Sequence, residues 1–273
     1  MPSSDPNGRP AEWPPGDGAK YKAALVFVVL LGGACVPVGF GFVAIGKAGA
    51  LKYALLFAAL FLLTAAYGLV TRVRPGHRQG DIAITTYEGR PATEIRYSQA
   101  AFTILAALMA CVTAICALGA WDFLSAGEDV PAAPVGAALL GIAALFFLSF
   151  FGFVLAGRLQ RGRVVLAQQG IFQRGRAFSS FLPWEAFAGA KAAYNGTPEV
   201  LVIAYTNAPW DKRQLSGFWK LDKLPPAPMI EIDTTSFAVD PNVVYHLVRF
   251  YVENPAARAE LGTDASLRRF SRH

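Results

Sequence analysis

Ionisable residues are absent from long stretches of this 273-residue chain. Four apolar segments, Lys22–Gly46, Leu51–Val70, Ala101–Trp121 and Pro134–Ala156, contain no Asp, Glu, Arg or His, and their only lysines are Lys22 and Lys52 at the edges. Each is close to the ~20 residues that cross a bilayer as a helix, so an integral membrane protein with four spans is expected. Spans without ionisable groups cannot build a proton relay, an ion site or a buried counter-ion. The membrane part is therefore expected to be an anchor or packing scaffold. The whole chain is 54% hydrophobic and only 16% charged, against about 25% charged in an ordinary soluble domain.

Cysteine is scarce as well. Cys35, Cys111 and Cys116 all fall inside apolar segments, and Cys111 and Cys116 lie about 140° apart on a helical wheel, too divergent for a shared site. A disulfide framework and a zinc site are excluded on that count, and the three are expected to act as small hydrophobes. Gly170, Gly175 and Gly189 are not spaced as a phosphate-binding loop. Ser179 and Ser180 have neither a nearby His nor nucleophile-elbow glycines. His246 has Asn242 and Arg249 one turn away rather than a metal ligand or an acid, and His77, beside Arg74 and Arg78, has no ligand partner nearby. No catalytic residue, cofactor or metal site is expected, and the chain reads as non-enzymatic.

Basic residues, in contrast, are unevenly spread. Arg72, Arg74, Arg78, Arg90 and Arg96 lie between the second and third spans, and Arg158, Arg161 and Arg163 follow the fourth as a juxtamembrane basic rim. Asp122–Ala133, between the third and fourth, has none. The positive-inside rule places the N-terminus, the second loop and the C-terminal region in the cytoplasm, in a multi-pass protein of the inner (plasma) membrane. Lys47 and Lys52, in the short first loop, are the only dissent. The pI of about 9.3 follows from this asymmetry and from lipid contact; no stacking-strand motif points to nucleic acid. The run ending in Gly32-Gly33-Ala34-Cys35 faintly suggests a lipoprotein cleavage site, but the apolar stretch continues beyond it, and a retained span is expected.

Residues 1–21, rich in Pro, Gly, Ser and Asp, are expected to be a disordered cytoplasmic tail. Gly32, Gly33, Pro37, Gly39, Gly41 and Gly46 predict close packing of the first span on another. Within 22–157, the second loop carries two strand-like runs, Ile82–Tyr87 and Thr93–Tyr97, separated by Glu88-Gly89-Arg90-Pro91. They predict a hairpin over 80–98 that packs on the C-terminal domain or the membrane surface. From Arg158 the pattern changes. Strands are expected at Arg163–Ala167, Ile171–Arg174, Ala177–Leu182, Phe187–Tyr194, Val200–Thr206 and Met229–Ile232. A helix then follows, with Asp240 as N-cap, Pro241 at the first position and Val244, Leu247, Val248 and Tyr251 on one apolar face. The fold class is α+β, with a four-helix transmembrane segment and a small β-barrel or curled sheet over 158–262 closed by an amphipathic helix. Residues 263–273 are expected to be a flexible tail.

The run Arg163–Phe172, then Leu182-Pro183-Trp184-Glu185 at the third strand, resembles bacterial pleckstrin-homology-like (PH-like) domains. The closing Val239–Asn242, Tyr245-His246, Asn254-Pro255, Arg258 and Glu260-Leu261 are similar to the tails of actinobacterial membrane proteins that carry such domains. The resemblance covers Arg158–Leu261 and implies a PH-like β-barrel with Trp184 buried against the helix near Leu247. It lends no enzymatic activity. The long insertion Asn207–Pro228 departs from the pattern and leaves any ligand site untransferred. Inside it, Trp210, Lys212, Arg213, Phe218, Trp219, Lys220 and Lys223 interleave cations with aromatics at a net charge of +2 once Asp211 and Asp222 are counted. Two readings stand: a contact with anionic lipid at the membrane surface, or aromatics covering an open end of the sheet with solvated cations. The expected function is that of a membrane-anchored module whose cytoplasmic domain binds a partner protein or anionic lipid head groups. An accessory subunit of a lipid or small-molecule transport complex is the alternative, and an oligomer is compatible with either.

Overall fold

The computed structural model describes residues 8–14, 18–73, 81–126, 131–222 and 224–270. Four helices, α1 (Gly18–Ala44), α2 (Leu51–Gly68), α3 (Gln99–Ser125) and α4 (Ala133–Leu155), are long and apolar enough to cross a membrane, so the chain is a multi-pass membrane protein. They form one compact unit. The glycines of α1 divide by face. A Cβ on Gly39 would stand 2.6 Å from Ala54 Cβ, and one on Gly32 would stand 3.2 Å from Phe61 Cβ, whereas Gly33 and Gly41 have open space beside them. Small residues thus let α1 and α2 approach closely along one line, as packing in lipid favours. Hydroxyls within the helices, such as Thr64 and Thr113, donate to the carbonyls of Leu60 and Met109 one turn back, so their polar atoms are satisfied without water.

The second unit gathers the described residues of Met1–Gly16, Arg74–Gln99 and Arg158–His273. Its strands are β1 (Ile82–Tyr87), β2 (Arg90–Arg96), β3 (Arg163–Ala167), β4 (Gly170–Arg174), β5 (Phe178–Pro183), β6 (Phe187–Tyr194), β7 (Pro198–Ala204), β8 (Asp211–Gln214) and β9 (Met229–Asp233). They make a six-stranded sheet in the order β1-β2-β3-β4-β5-β8 and a three-stranded sheet in the order β6-β7-β9, all pairs antiparallel. Ile95, Val164, Leu166, Ile171 and Leu182 from the first sheet share one core with Val200, Val202, Ile230 and Ile232 from the second. Helix α5 (Pro241–Glu253) closes that core with Val244, Leu247, Val248 and Tyr251. Its start follows the sequence signal: the Asp240 carboxylate accepts the Asn242 N–H at 2.8 Å, and Pro241 occupies the first turn, where no N–H is needed. Trp184 lies in the same core as Leu247, its Nε1 donating to Ala167 O at 2.7 Å. The α+β class stands.

Several boundaries differ from the sequence expectation. The hairpin is not an appendage: β2 pairs with β3 along its length, with Ala92 opposite Ala167 and Arg96 opposite Arg163, so the domain expected at 158–262 also takes in residues between the second and third spans. The turn itself is as expected, Glu88 and Gly89 both having positive φ (49° and 76°) as a two-residue hairpin requires. The N-terminal segment expected to be disordered contributes to the core, since Trp13 is only 4% exposed. Its Nε1 donates to Ala193 O at 2.9 Å and its ring meets Tyr245 edge-on at 5.8 Å, while His246 Nε2 hydrogen-bonds Gly8 O at 2.6 Å. The expected flexible tail after 262 contains α6 (Asp264–Phe270), with Phe270 and Ser266 buried, and the Ser266 hydroxyl 2.8 Å from Thr93 Oγ1 of β2. His77 lies outside the described residues.

Candidate functional site

Directly opposed residues in antiparallel strands put their side chains on the same face. Arg96 of β2 opposes Arg163 of β3, Arg163 opposes Arg174 of β4, Arg174 opposes Ser179 of β5, and Ser179 opposes Arg213 of β8. Four arginines and one serine therefore form a transverse row on the face of the six-stranded sheet turned away from the shared core. At about 4.8 Å per strand, the row runs about 19 Å. One acid stands among them. Glu94, whose side chain is 3% exposed, is paired with Arg96 at 2.9 Å and Arg163 at 3.1 Å. Arg174 is buried and donates from Nη1 to Phe178 O at 2.9 Å. Its burial, together with the positive charge of neighbouring Arg163, holds its guanidinium below the ordinary arginine value. Two residues along each strand, the same face carries an aromatic patch, with Tyr87 tilted on Phe172 at 5.1 Å and stacked on Phe181 at 5.7 Å. Asp211, opposite Phe181, is the acid at the sheet edge.

The residues singled out from sequence are dispersed by the fold. In the Asn207–Pro228 insertion, residues 211–214 pair with β5 as the edge strand β8. Trp210 donates from Nε1 to Ser180 Oγ at 2.7 Å and carries Lys212 Nζ 4.2 Å from its ring centroid. Trp219 is buried, and Asp222 is taken up by Arg176 at 3.0 Å. Lys212, Arg213, Phe218 and Lys220 are exposed, while Lys223 lies outside the described residues. Trp210 thus packs at the sheet edge and Trp219 is buried, and among the four exposed residues only Arg213 joins the arginine row. The juxtamembrane rim is altered in the same way. Arg161 donates to Tyr97 O and pairs with Asp81 at 2.6 Å, Arg163 pairs with Glu94, and the Arg158 carbonyl accepts from Arg174. Arg161 and Arg163 bind the hairpin to β3, so they are structural links as well as charges.

Two further clusters escaped the sequence. Within the helical unit, α3 extends beyond Trp121, and Asp122 in its last turns meets Lys52 Nζ at 2.5 Å and accepts from Tyr53 OH at 2.7 Å. An ion pair therefore links α2 to α3 at the edge of the spans, with both side chains part exposed. It borders an open cavity of about 460 Å³ lined by apolar residues including Phe57, Ile115 and Leu140. In the sheet unit, Glu199 of β7 opposes Asp233 of β9, two residues from Glu231. Burial, with Glu231 and Asp233 nearby, raises the Glu199 carboxyl above its ordinary value, and burial with Asp233 raises Glu231. Among the described residues no group of three or more His, Cys, Asp or Glu is placed to hold a metal ion. No family model, curated protein or solved structure matches the chain.

Proposed function

We propose that the chain is a non-enzymatic protein of the inner membrane whose sheet domain, on the cytoplasmic side, is a binding module for anionic groups presented at the membrane surface, on lipid or on a partner protein. The observation that carries this reading is the alignment of Arg96, Arg163, Arg174 and Arg213 on one sheet face against Glu94 and Asp211. Such a row attracts anions over a Debye length, about 8 Å at physiological salt. The cytoplasmic placement is supported by the arginine asymmetry of the loops. Chain order adds a second support. Segments before α1, between α2 and α3, and after α4 enter one core, which requires each pair of spans to cross and return. The PH-like reading rests on the sequence run Arg163–Phe172, the Leu182–Glu185 segment and the amphipathic helix α5, with two antiparallel sheets as their counterpart.

The test uses the full chain in phosphatidylcholine nanodiscs fixed to a surface. Vesicles containing phosphatidylglycerol should be retained at low salt and released as salt rises, and neutral vesicles should pass. Equal indifference to both vesicle types would refute the lipid side of the reading and leave the anion on a partner protein.

A further inference from the structure

Resting on that reading, we infer that the arginine row is a phosphate-binding site for acidic phospholipid head groups, and that Glu94 is a resident counter-ion which the lipid phosphate displaces. Glu94 engages Arg96 through Nε and Nη2 and Arg163 through Nη1. The Arg96 and Arg163 side chains are nevertheless 47% and 45% exposed, so part of each guanidinium faces solvent. A guanidinium presents five N–H donors in a planar fork that matches phosphate oxygens two at a time, and Glu94 engages Nε and Nη2 of Arg96 but only Nη1 of Arg163. One carboxylate between two cations leaves an excess positive charge at that spot, and Arg213, exposed, has no ion-pair partner among the described residues to reduce it.

Two observations favour lipid over an acidic protein segment. Arg96 precedes the first residue of α3 by three positions, and Arg163 follows the last residue of α4 by eight. At no more than ~3.6 Å per residue these are tethers of about 11 and about 29 Å. Head-group phosphate is therefore the densest anion within reach of the row. The second observation is the Tyr87–Phe172–Phe181 patch on the same face: aromatic rings beside cations suit the head-group layer, where one end of a contact is apolar and the other wet.

The full chain is reconstituted in phosphatidylcholine nanodiscs containing phosphatidylglycerol, with a trace of phosphatidylglycerol bearing a photoreactive head group, and crosslinks are mapped by peptide mass spectrometry. Crosslinks are expected in β2, β3 and β8, competed by unlabelled phosphatidylglycerol but not by inorganic phosphate at matched ionic strength. Glu94→Gln should strengthen lipid competition about fivefold, and Arg213→Gln should weaken it about fivefold. Removing both Glu94 partners alone would strand a buried acid. The variant carrying Glu94→Gln, Arg96→Gln, Arg163→Gln and Arg213→Gln together avoids that, and its net loss of two charges predicts about thirtyfold weaker binding. Crosslinks on α1–α4 should be the same in every variant. Loss of the crosslinks to inorganic phosphate would make free phosphate the ligand and overturn the lipid assignment. Crosslinks elsewhere on the sheet unit, indifferent to these variants, would overturn the row while leaving the membrane-surface reading intact. If no crosslink reaches the sheet unit, the inference fails, and vesicle capture by the unmodified chain decides separately whether the lipid side of the wider reading fails with it.

Discussion

Replacement of Trp13 by Ala should cost the sheet unit about 3 kcal/mol. A buried Trp removes about 150–250 Å² from water, which at about 25 cal/mol per Å² is roughly 4–6 kcal/mol. Large aromatic-to-Ala changes in cores cost about 3–5 kcal/mol. The ring fits this range: it is almost fully buried, donates from Nε1 to Ala193 O at 2.9 Å, and meets Tyr245 edge-on at 5.8 Å. Against this, releasing the segment 8–14 restores backbone freedom of about 1–2 kcal/mol for each residue freed, which sets the estimate at the low end. For a domain of this size 1 kcal/mol shifts Tm by about 2–4 °C, so a fall of about 6–12 °C is expected. The assay is thermal unfolding of the full chain in detergent, followed by near-ultraviolet circular dichroism, with cleavage after Glu12 by a glutamate-specific protease as a local readout. Trp13→Phe keeps most of the ring and loses the N–H, leaving Ala193 O without that donor, and should cost about 1 kcal/mol. A Tm unchanged in Trp13→Ala would mean that the ring is solvated and that the N-terminal segment is no part of the core.

Gly262 has φ +80°, and a Cβ there would stand 2.4 Å from Ala92 N and the Pro91 backbone; Gly262→Ala should therefore undock α6 from β2 and open Arg268 and Arg269 to trypsin, whereas Gly196→Ala, at φ +75° with open space, should show only the backbone strain of about 1–2 kcal/mol. Lys52→Ala and Asp122→Ala should each lower the melting temperature of the detergent-solubilised chain, and the double substitution should cost less than the sum; strict additivity would show that the pair is not coupled. Because Glu199 and Glu231 bind protons more tightly folded than unfolded, stability should fall as pH rises from their ordinary values through their raised ones. Glu199→Gln should flatten that slope, while Glu260, held low by Arg269, weakens the fold only at lower pH. For sidedness, Glu88→Cys in the exposed hairpin turn should resist an impermeant thiol reagent added to intact cells, and Ser125→Cys should react; the reverse pattern would invert the topology. Ser98 is unsuitable for this purpose, being buried with its N–H donating to Ser236 O.

The spans were legible because their signal is one-dimensional: some twenty consecutive residues without charge need no knowledge of what they touch. The same holds for α5, where a cap, a proline and a 3.6-residue repeat lie within one short segment, and for the Glu88-Gly89 turn. Illegible were the features created by pairing. Arg96 and Arg163 are separated in sequence by two spans and read as loop charge and juxtamembrane rim. Only the β2–β3 register makes them neighbours. β8 is Asp-Lys-Arg-Gln, polar on both faces, so no alternation announces it, and it exists because β5 offers an open edge. Trp13 was hidden by its company, since a segment of Pro, Gly and Asp has the composition of a disordered tail even when one aromatic side chain anchors it. Asp122 was placed one residue beyond the third span, yet α3 continues past it and turns a loop acid into the partner of Lys52.

Chain order gives the sheet unit a dependence on the membrane that a contiguous domain would lack. Trp13 is synthesised first, but its slot is formed by Ala193 of β6 and Tyr245 of α5, which come last. β2 becomes available after the second span and β3 only after the fourth. The core can therefore close only when both helix pairs have crossed and returned, because an unpaired crossing would strand either the N-terminal segment or the hairpin on the opposite side. Each loss exposes apolar surface. Without β2, the β3 edge is unpaired and Ile95 is missing from the core; without Trp13, the slot between β6 and α5 is open. The Glu94 carboxylate, which ties Arg96 before the third span to Arg163 after the fourth, sits at the seam where these segments join. The arginine-bearing sheet face is thus assembled only in a chain whose spans are correctly inserted, which ties the proposed anion site to molecules already placed in the bilayer.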